Sequence, residues 1–365
     1  MEAFYKDKSV LVTGHTGFKG SWLVHWLSLM GAKVTGIANS VPTEPANFIT
    51  SQLADLVRDI RLDVRNMDEL GRAIRDVEPD IVFHLAAQSL VRPSYEYPLE
   101  TISTNAMGTA NILESLRNSN KPVTAVLITS DKAYDNVEWV WGYRETDALG
   151  GKDIYSASKG MAELAIKCYL ESFYRDKECK VRLAVARAGN VIGGGDWATD
   201  RIVPDCMRAW SENRNVDIRN PAATRPWQHV LEPLSGYLSL ACELSARSEL
   251  HGEAFNLGPP SKQDQSVRDL ITEMARHWDN IGWNDVSGQS GKLHEAGLLK
   301  LNCDKALAML GWMPTLDFSR TVEMTVSWYR MFYQENPTSM QDFSRDQILQ
   351  YCTLAREQGM GWAND

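Results

Sequence analysis

A tyrosine and a lysine four residues apart form the first pair in this sequence whose types and spacing could do chemistry. Tyr155 and Lys159 lie in the segment DIYSASKG, and residues i and i+4 of a helix share one face. A lysine ammonium close to a phenol favours the phenolate, which can take a proton from an alcohol while a hydride leaves the same carbon. A surface Tyr and Lys at this spacing are common, so the pair needs a second signal.

A glycine-rich loop near the amino terminus is that signal. TGHTGFKG places Gly14, Gly17 and Gly20 directly after an apolar strand and at the start of a helical pattern. Such glycines permit a tight turn and a close approach of the backbone to a pyrophosphate at the helix N-terminus. The spacing is GxxGxxG rather than GxGxxG. The loop predicts a dinucleotide site, and beside Tyr155 and Lys159 it predicts a dehydrogenase-type step.

The residues at the end of the second predicted strand do not decide between NAD and NADP. The second strand ends in Asn39 and Ser40, where an acidic residue would bind the ribose hydroxyls or an arginine a 2′-phosphate. Asp63, in LDVR, is a candidate partner for the adenine amino group, with a solvated turn as the alternative. NAD is the predicted cofactor, and NADP stays open.

Two adjacent charges follow the apolar segment VTAVLI. Asp131 and Lys132, in TSDKAY, stand at the C-terminal end of a predicted strand. Burying charge is costly unless it is paired or used, and α/β folds bind ligands at the carboxyl ends of their strands. The alternative is an exposed surface pair, which would contribute little.

Composition narrows the class of protein. The chain has 365 residues, 44% of them hydrophobic, with a net charge of −9; it has no basic stripe, so we expect no nucleic-acid partner. The six cysteines have no CxxC spacing, which favours reduced thiols and a cytoplasmic protein. No apolar run approaches the roughly 20 residues of a membrane span, and no His/Cys/Asp cluster has metal-ligand spacing.

Strand and helix patterns alternate through the first half of the chain. This rhythm, with nearly continuous apolar strands, predicts an α/β fold with a Rossmann-type doubly wound parallel sheet. The strand segments are 9–14, 32–38, 80–87 and 123–130, and the helical ones are 20–31, 67–77 and 105–119. Loops rich in Gly and Pro from about 191, and helical stretches at 265–278 and 320–335, predict a smaller, interleaved C-terminal lobe.

Four long stretches carry a resemblance to a known family. The glycine loop, HLAAQ at 84–88, Ser130 and the Tyr155–Lys159 pair together resemble the extended short-chain dehydrogenase/reductase superfamily. VTGHTGFKGSWL, TSDKAYDNVEWVWGYRE, RAGNVIGGGDWATDRIVPD and NPAATRPWQHVLEPLSGYL resemble the CDP-glucose 4,6-dehydratase family. The similarity runs from about residue 5 to 335. Ile154, where the family usually has Pro, and Ala133, where Cys is common, depart without removing a functional group.

The resemblance implies a hydro-lyase that converts CDP-glucose to CDP-4-keto-6-deoxyglucose. Tyr155 and tightly held NAD would oxidise the C4 hydroxyl, water would leave across C5 and C6, and the hydride would return to C6. Ser130 matches the position that hydrogen-bonds the C4 oxygen. Asp131 matches the acid, provided that it retains its proton near neutral pH. Lys132 matches the base if it can lose its proton; otherwise it stabilises the enolate electrostatically.

The resemblance also carries over binding positions and a division into lobes. It places the cofactor against Gly14, Thr16, Gly17, Phe18, Lys19, Gly20, Asp63, Val64, Leu85, Ala86, Ala87, Gln88, Thr129, Tyr155 and Lys159. It places the nucleotide sugar against Gln88, Asn190, Arg201 and Arg225, where an arginine fork suits a diphosphate. The dinucleotide-binding domain would span 1–190, with 229–258 returning to it. The nucleotide-sugar lobe would span 191–228 and 259–365.

Association and biological role are likewise expectations from the resemblance. Helices at 105–119 and 159–173 would pair across a homodimer, and the product would feed deoxysugar synthesis for surface sugars such as lipopolysaccharide. Two other functions compete. An epimerase or reductase on a nucleotide sugar would keep Tyr155 and Lys159 but would not need Asp131 and Lys132. A catalytically silent nucleotide-binding regulator tends to lose the tyrosine or the lysine, and both are present.

Overall fold

The computed structural model describes residues 1–260, 263–279, 281–287, 298–335 and 339–364. Apolar runs that alternate with amphipathic helices form thirteen strands in this part of the chain. The strands are β1 Ser9–Thr13, β2 Lys33–Ala38, β3 Arg58–Arg61, β4 Ile81–His84, β5 Val123–Ile128, β6 Val181–Arg187, β7 Val191–Ile192, β8 Val216–Ile218, β9 Thr224–Arg225, β10 Gln228–His229, β11 Ala254–Asn256, β12 Gln265–Ser266 and β13 Trp283–Asp285.

Fourteen α-helices are described in the same residues. They are α1 Glu2–Tyr5, α2 Phe18–Leu29, α3 Asn47–Thr50, α4 Met67–Val77, α5 Val91–Glu96, α6 Pro98–Ile102, α7 Gly108–Arg117, α8 Ile154–Tyr169, α9 Ile202–Ser211, α10 Leu231–Ala246, α11 Val267–Met274, α12 Asp304–Leu310, α13 Phe318–Arg330 and α14 Met340–Glu357. A π-helical turn, Ser103–Met107, leads into α7, and a 3₁₀ turn, Asp131–Ala133, follows β5.

Seven strands form one sheet in the order β11-β6-β5-β4-β1-β2-β3. All of its pairings are parallel. The chain moves outward from β1 to β3 and then starts again on the other side of β1 with β4. This reversal creates a crevice at the carboxyl ends of β1 and β4, the place where doubly wound sheets bind ligands. The predicted Rossmann-type fold class is confirmed.

Side-chain alternation along the strands explains the two buried layers. Val10 and Val12 of β1 pack in one core with Trp22 of α2, whereas Leu11 packs in the other with Ile112 of α7. Because successive side chains of a strand point to opposite faces, an unbroken apolar strand can be buried on both sides. The sheet is therefore covered by helices on both faces, as its sequence predicts.

The predicted elements agree with the observed ones more closely inside than at their ends. The segment 67–77 is a helix with the predicted limits, α4. The segment 80–87 was predicted as strand throughout, but β4 ends at His84. Residues 85–87 instead line the crevice, so a continuous apolar pattern runs from a strand into a binding loop.

Shorter paired strands lie outside the main sheet. β7 pairs with β10, β9 with β12, and β8 with β13. The last helix, α14, packs against α2, and β11 adds to the main sheet beside β6. None of the helices in the described residues is long and apolar enough to cross a membrane.

Candidate active site

A cavity of about 1170 Å³ opens at the carboxyl edge of the sheet. It receives the residues that follow β1, β2, β4, β5 and β6, because the ends of parallel strands meet at one edge. All the residues predicted from the sequence to bind cofactor or substrate, or to act in catalysis, line it. They are Gly14, Thr16, Gly17, Phe18, Lys19, Gly20, Asp63, Val64, Leu85, Ala86, Ala87, Gln88, Thr129, Ser130, Asp131, Lys132, Tyr155, Lys159, Asn190, Arg201 and Arg225.

The glycine loop after β1 has the geometry that a dinucleotide requires. Gly14 has a φ of +74°, and a β-carbon there would lie 2.7 Å from the backbone nitrogen of Ala86. At Gly20 a β-carbon would lie 2.1 Å from the carbonyl oxygen of Gly14. Helix α2 begins at Phe18, directly after the loop. The absence of side chains lets the loop after β4 and helix α2 pack directly against the glycine loop, which lines the cavity beside a helix N-terminus and fits the pyrophosphate of NAD.

The adenosine end of the cavity is polar but already partly paired. Thr16 donates its hydroxyl to the carbonyl oxygen of Ser40 at 2.7 Å, which ties the glycine loop to the end of β2. The Asp63 carboxylate contacts Arg65, with 2.6 Å between Nη2 and Oδ2. This hydrogen bond lowers the pKa of Asp63. The adenine contact of Asp63 stays a prediction.

Asp131 is held at the opposite end, on the 3₁₀ turn after β5. It is 3% exposed. Ser130 donates its hydroxyl to Oδ1 at 2.9 Å, and the side-chain amide of Asn190 donates to Oδ2 at 3.1 Å. Ser130 also caps the turn by accepting from the backbone nitrogen of Lys132 at 3.3 Å. The two hydrogen bonds fix the carboxyl group in one orientation at the cavity wall.

Tyr155 and Lys159 lie on α8, whose first turn is capped by Asp153. Tyr155 is 7% exposed and Lys159 is 6% exposed. Burial raises the pKa of Tyr155 to about 12, while the Ser130 hydrogen bond and the charge of Arg201 act in the opposite direction. The sequence-based expectation assigned that opposing effect to Lys159; in the structure Ser130 and Arg201 are its main sources.

Two further lysines line the reacting end. Lys132 is half-buried on the turn that carries Asp131. Lys19 reaches from α2 to within 3.5 Å of the Tyr237 hydroxyl. Burial lowers the pKa of Lys19 to about 8, and the charge of Arg201 adds to this effect. The lysine of the glycine loop thus faces the reacting end as well as the cofactor region.

The residues predicted to bind the substrate differ in how many hydrogen bonds and ion pairs they already form within the protein. Arg201 pairs with Asp196 at 2.7 Å and reaches Ser89 at 3.3 Å. Arg225 donates to the carbonyl of Thr224 at 2.7 Å. These arginines keep their cationic groups in the cavity lining, as contact with a diphosphate would require.

The side chain of Gln88 forms hydrogen bonds within the segment that follows β4 in this structure. Its side-chain amide donates to the carbonyl of Leu90 and to the Thr101 hydroxyl, at 2.9 and 3.0 Å, and its Oε1 accepts from the Leu90 backbone nitrogen. Gln88 lines the cavity while it shapes the loop after β4. Its predicted contacts with cofactor and substrate stay predictions.

Two arginines of the cavity wall were not predicted from the sequence. Arg92 and Arg219 both pair with Asp200, at 3.0 and 3.2 Å, and all three residues line the cavity. Arg219 lies in the same loop-rich stretch as the predicted Arg225, so extending that stretch would have found it. Arg92 follows the loop after β4, and no spacing relates it to the others.

His84 is a core residue whose ring nitrogens both have hydrogen-bond partners. Its ring nitrogens contact the hydroxyls of Thr13 at 2.7 Å and Thr109 at 3.1 Å. Burial lowers the pKa of His84 to about 3. In the described part of the chain no group of three His, Cys, Asp or Glu side chains is arranged to hold a metal ion.

Comparisons with known proteins agree with this geometry. Residues 11–325 match the family model described as GDP-mannose 4,6 dehydratase. The chain is 47% identical over 331 residues to a CDP-glucose 4,6-dehydratase of Salmonella typhimurium, covering 90% of this chain and 92% of the relative. It is 27% identical over 340 residues to a dTDP-glucose 4,6-dehydratase of Streptomyces antibioticus, covering 88% and 92%.

A solved structure supports the fold. The UDP-glucuronic acid 4-epimerase of Bacillus cereus, in complex with UDP-glucuronic acid and NAD, superposes with a TM-score of 0.75 at 22% identity. The match covers 89% of this chain and 99% of that one. From the extent of the family match and the 47% identity, the chain belongs to the GDP-mannose 4,6 dehydratase family, within the nucleotide-sugar dehydratases of the extended short-chain dehydrogenase/reductase superfamily.

Proposed function

We propose that this protein is an NAD-dependent hydro-lyase that converts CDP-glucose to CDP-4-keto-6-deoxyglucose. One observation carries the proposal: the Ser130–Asp131–Lys132 turn and the Tyr155–Lys159 helix line a single cavity with the glycine loop. The relative that is named CDP-glucose 4,6-dehydratase, at 47% identity, supports cytosine as the base of the nucleotide. Family membership alone would leave the base open.

NAD is the cofactor that these residues fit. The glycine loop, which Gly14 and Gly20 allow to pack closely, and the N-terminus of α2 would hold the pyrophosphate. Asp63 and Val64 would lie at the adenine end, and Thr129 and Lys159 at the nicotinamide end. When bound there, NAD would supply a hydride acceptor for C4 of the sugar and, once reduced, a hydride donor for C6.

Tyr155 and Ser130 act on the C4 hydroxyl. The Tyr155 phenolate takes the hydroxyl proton, and Ser130 donates a hydrogen bond to the C4 oxygen. Burial raises the pKa of the phenol to about 12, so the cations Arg201 and Lys159 must favour the phenolate when substrate is bound. A general base at this position contributes roughly 10²–10⁴-fold to rate.

Asp131 and Lys132 carry out the elimination. Once C4 is a ketone, Lys132 in its neutral amine form removes the acidified C5 proton, and Asp131 in its protonated form gives its proton to the C6 hydroxyl, which leaves as water. C5 regains a proton after the hydride reaches C6, so the net change is loss of one water. The carboxyl group is held by Asn190, which fixes its position toward C6, while the Ser130 hydroxyl, which donates to Asp131 in this structure, turns to the C4 oxygen when substrate binds.

The arginines of the cavity wall bind the nucleotide diphosphate. Arg201 and Arg225, with Arg92 and Arg219, supply the positive charge that an overall acidic chain needs for an anionic ligand. Asp200 holds Arg92 and Arg219 in place.

We assign the cofactor to a domain of residues 1–190 and 229–258, and the nucleotide sugar to a second domain formed by the remaining residues.

We also propose a homodimer. Exposed apolar side chains line the outer faces of α6, the following turn and α8: Leu99, Met107, Met161 and Leu164 are 80%, 56%, 42% and 57% exposed. A face of this kind is typical of protein contacts.

We further propose a cytoplasmic location and a role in surface-sugar synthesis. No disulfide joins any of the six cysteines, all of which lie in the described residues, and this supports a reducing compartment.

Incubation of the purified protein with CDP-glucose tests the function. A 4-keto product that absorbs in alkali, formed without net consumption of NADH, is expected. Tyr155→Phe should abolish turnover and leave NAD binding intact. The second candidate is a nucleotide-sugar 4-epimerase, favoured by the fold of the Bacillus cereus enzyme; a C4-inverted sugar formed from a UDP-hexose would establish it and reject the dehydratase.

A further inference from the structure

A buried ion pair lies beneath α8, and no step of the proposed reaction uses it. Glu163 and Arg187 are each 4% exposed. Arg187 Nε donates to Glu163 Oε1 at 2.7 Å, and Nη2 donates to Oε2 at 3.0 Å. Removing two charges from water costs several kcal/mol per ion, and well-packed apolar residues often stabilise a fold as much. A role beyond stability would explain why both charges are present.

Three elements of the active site meet at this pair. Glu163 lies one turn beyond Lys159 on α8, so both project from one face of the helix. Arg187 is the last residue of β6. Thr129, directly after β5 and before Ser130, donates its hydroxyl to Glu163 Oε1 at 2.5 Å. The pair therefore fixes α8 against the ends of two central strands.

Arg187 is itself held in place from its other side. Its Nη1 donates to the Tyr134 hydroxyl at 2.8 Å and to the Glu145 carbonyl at 3.1 Å. The guanidinium carbon lies 4.9 Å from the centroid of the Tyr134 ring. The Tyr134 hydroxyl in turn donates to Asn256 at 2.7 Å. These contacts keep the Arg187 charge next to Glu163.

We propose that Glu163, with its charge partly neutralised by Arg187, is a positioning residue that keeps Lys159 protonated beside Tyr155. The bidentate contact, the shared helix face and the burial of all four side chains carry this proposal. The meaning of the Lys159 charge for catalysis rests on the proposed function, because the ammonium favours the phenolate there. The effect on Lys159 itself does not depend on the reaction.

The electrostatics around Lys159 agree with this role. Burial lowers the pKa of Lys159 to about 8, and the charge of Glu163 acts in the opposite direction. Several other ionisable groups face Lys159 or Tyr155 from neighbouring elements. They are Lys19 of α2, His84 of β4, Asp131 of the turn after β5, Asp153 at the cap of α8 and Arg201 before α9. In contrast to these groups, Glu163 raises the pKa of Lys159 and so opposes the effect of burial.

Competitive acetylation with acetic anhydride measures the Lys159 charge directly. Lys159 lines the cavity, so a small reagent can reach it, and mass spectrometry gives its labelling rate between about pH 6 and 10. Exposed Lys167 on the same helix serves as the internal reference. Glu163→Gln should lower the pH of half-labelling by about one unit, and Arg187→Gln should raise it by a smaller amount, because Glu163 is the charge that acts on the pKa of Lys159.

The double variant and a charge-conserving variant separate charge from structure. Glu163→Gln with Arg187→Gln should fall between Glu163→Gln and the unmodified protein, and Arg187→Lys should leave the labelling pH unchanged. Breaking a buried ion pair on one side is strongly destabilising, because it leaves one buried charge without its partner. If either single variant fails to fold by circular dichroism, the uncharged double variant decides: a labelling pH below that of the unmodified protein supports the proposal.

Labelling curves that coincide, or single variants that shift in the same direction, would overturn the proposal. The pH dependence of kcat/KM with CDP-glucose, measured on the same variants, tests whether the charge of Lys159 also affects the ionisation of Tyr155. Failure of turnover in the unmodified protein rejects the dehydratase function and leaves the labelling result to stand. Normal turnover with unshifted labelling rejects only the role of Glu163.

Discussion

Gly189 leaves the space that the carboxyl group of Asp131 occupies. A β-carbon on Gly189 would lie 2.0 Å from the Asp131 carboxyl carbon. Asn190, the next residue, has a φ of +53° and donates to the same carboxyl group at 3.1 Å. The turn after β6 therefore both makes room for Asp131 and orients it.

Gly189→Ala should displace Asp131 and reduce turnover by about 100-fold or more, because a misplacement of about 1 Å can cost this much. The rest of the fold should remain. Steady-state kinetics and thermal melting check this. Gly361→Ala is the matched control, since no atom lies within 4 Å of a β-carbon there. Unchanged turnover in Gly189→Ala would contradict the role of Asp131.

Lys132→Arg distinguishes a base from an electrostatic stabiliser. Arginine keeps the positive charge but is not deprotonated in proteins. If Lys132 removes the C5 proton, the variant should oxidise C4 and accumulate reduced cofactor, seen as absorbance at 340 nm, without eliminating water. Release of the 4-keto-6-deoxy product at close to the normal rate would assign Lys132 to charge stabilisation only.

Glu232, which does not line the cavity, predicts that the stability of the fold depends on pH. Its buried carboxyl group accepts from the backbone nitrogens of Thr315 and Leu316 and from the Tyr351 hydroxyl of α14. Burial raises the pKa of Glu232 from 4.5 to about 7, with these hydrogen bonds acting in the opposite direction. Folding therefore takes up a proton between these two values.

Because folding takes up a proton, the free energy of unfolding decreases as the pH rises through this range. The contribution of Glu232 to the free energy of unfolding is complete below pH 4.5 and is lost as the pH rises to about 7, by about 3 kcal/mol. Urea unfolding at pH 5, 6, 7 and 8 should show this decline, and Glu232→Gln should flatten it. Parallel declines in the two proteins would show that Glu232 does not titrate in this window.

Leu164→Arg should break the proposed homodimer. Leu164 is 57% exposed on α8, and a charge there would have to be buried without a partner. Sedimentation velocity should show the unmodified protein as a dimer and the variant as a monomer. Leu307→Arg, on α12 and 51% exposed, should leave the dimer intact. Equal masses for all three proteins would reject this interface.

The sequence predicted those parts of the site that lie in one motif or directly after one strand. Ser130 and Asp131 follow an apolar run, and the ends of parallel strands lie at one edge of the sheet, so their place in the same cavity as Gly14 was predictable. The spacing of Tyr155 and Lys159 on one helix was predictable for the same local reason.

Contacts between distant loops could not be predicted in this way. The fit of Gly189 against Asp131 depends on how β5 and β6 end side by side, which one sequence does not reveal. The Glu163–Arg187 pair and the Arg92–Asp200–Arg219 contacts likewise join residues that no periodicity relates. The end of β4 was misplaced because Leu85 and Ala86 continue an apolar pattern while serving the cavity.

CDP-glucose that carries deuterium at C4 tests the central claim most directly. The dehydratase predicts a 4-keto-6-deoxy product with the deuterium at C6 of the same sugar and with no reduced cofactor left over, as read by NMR and mass spectrometry. A sugar that keeps the deuterium at an inverted C4, or a product whose label has passed to the solvent, would contradict it.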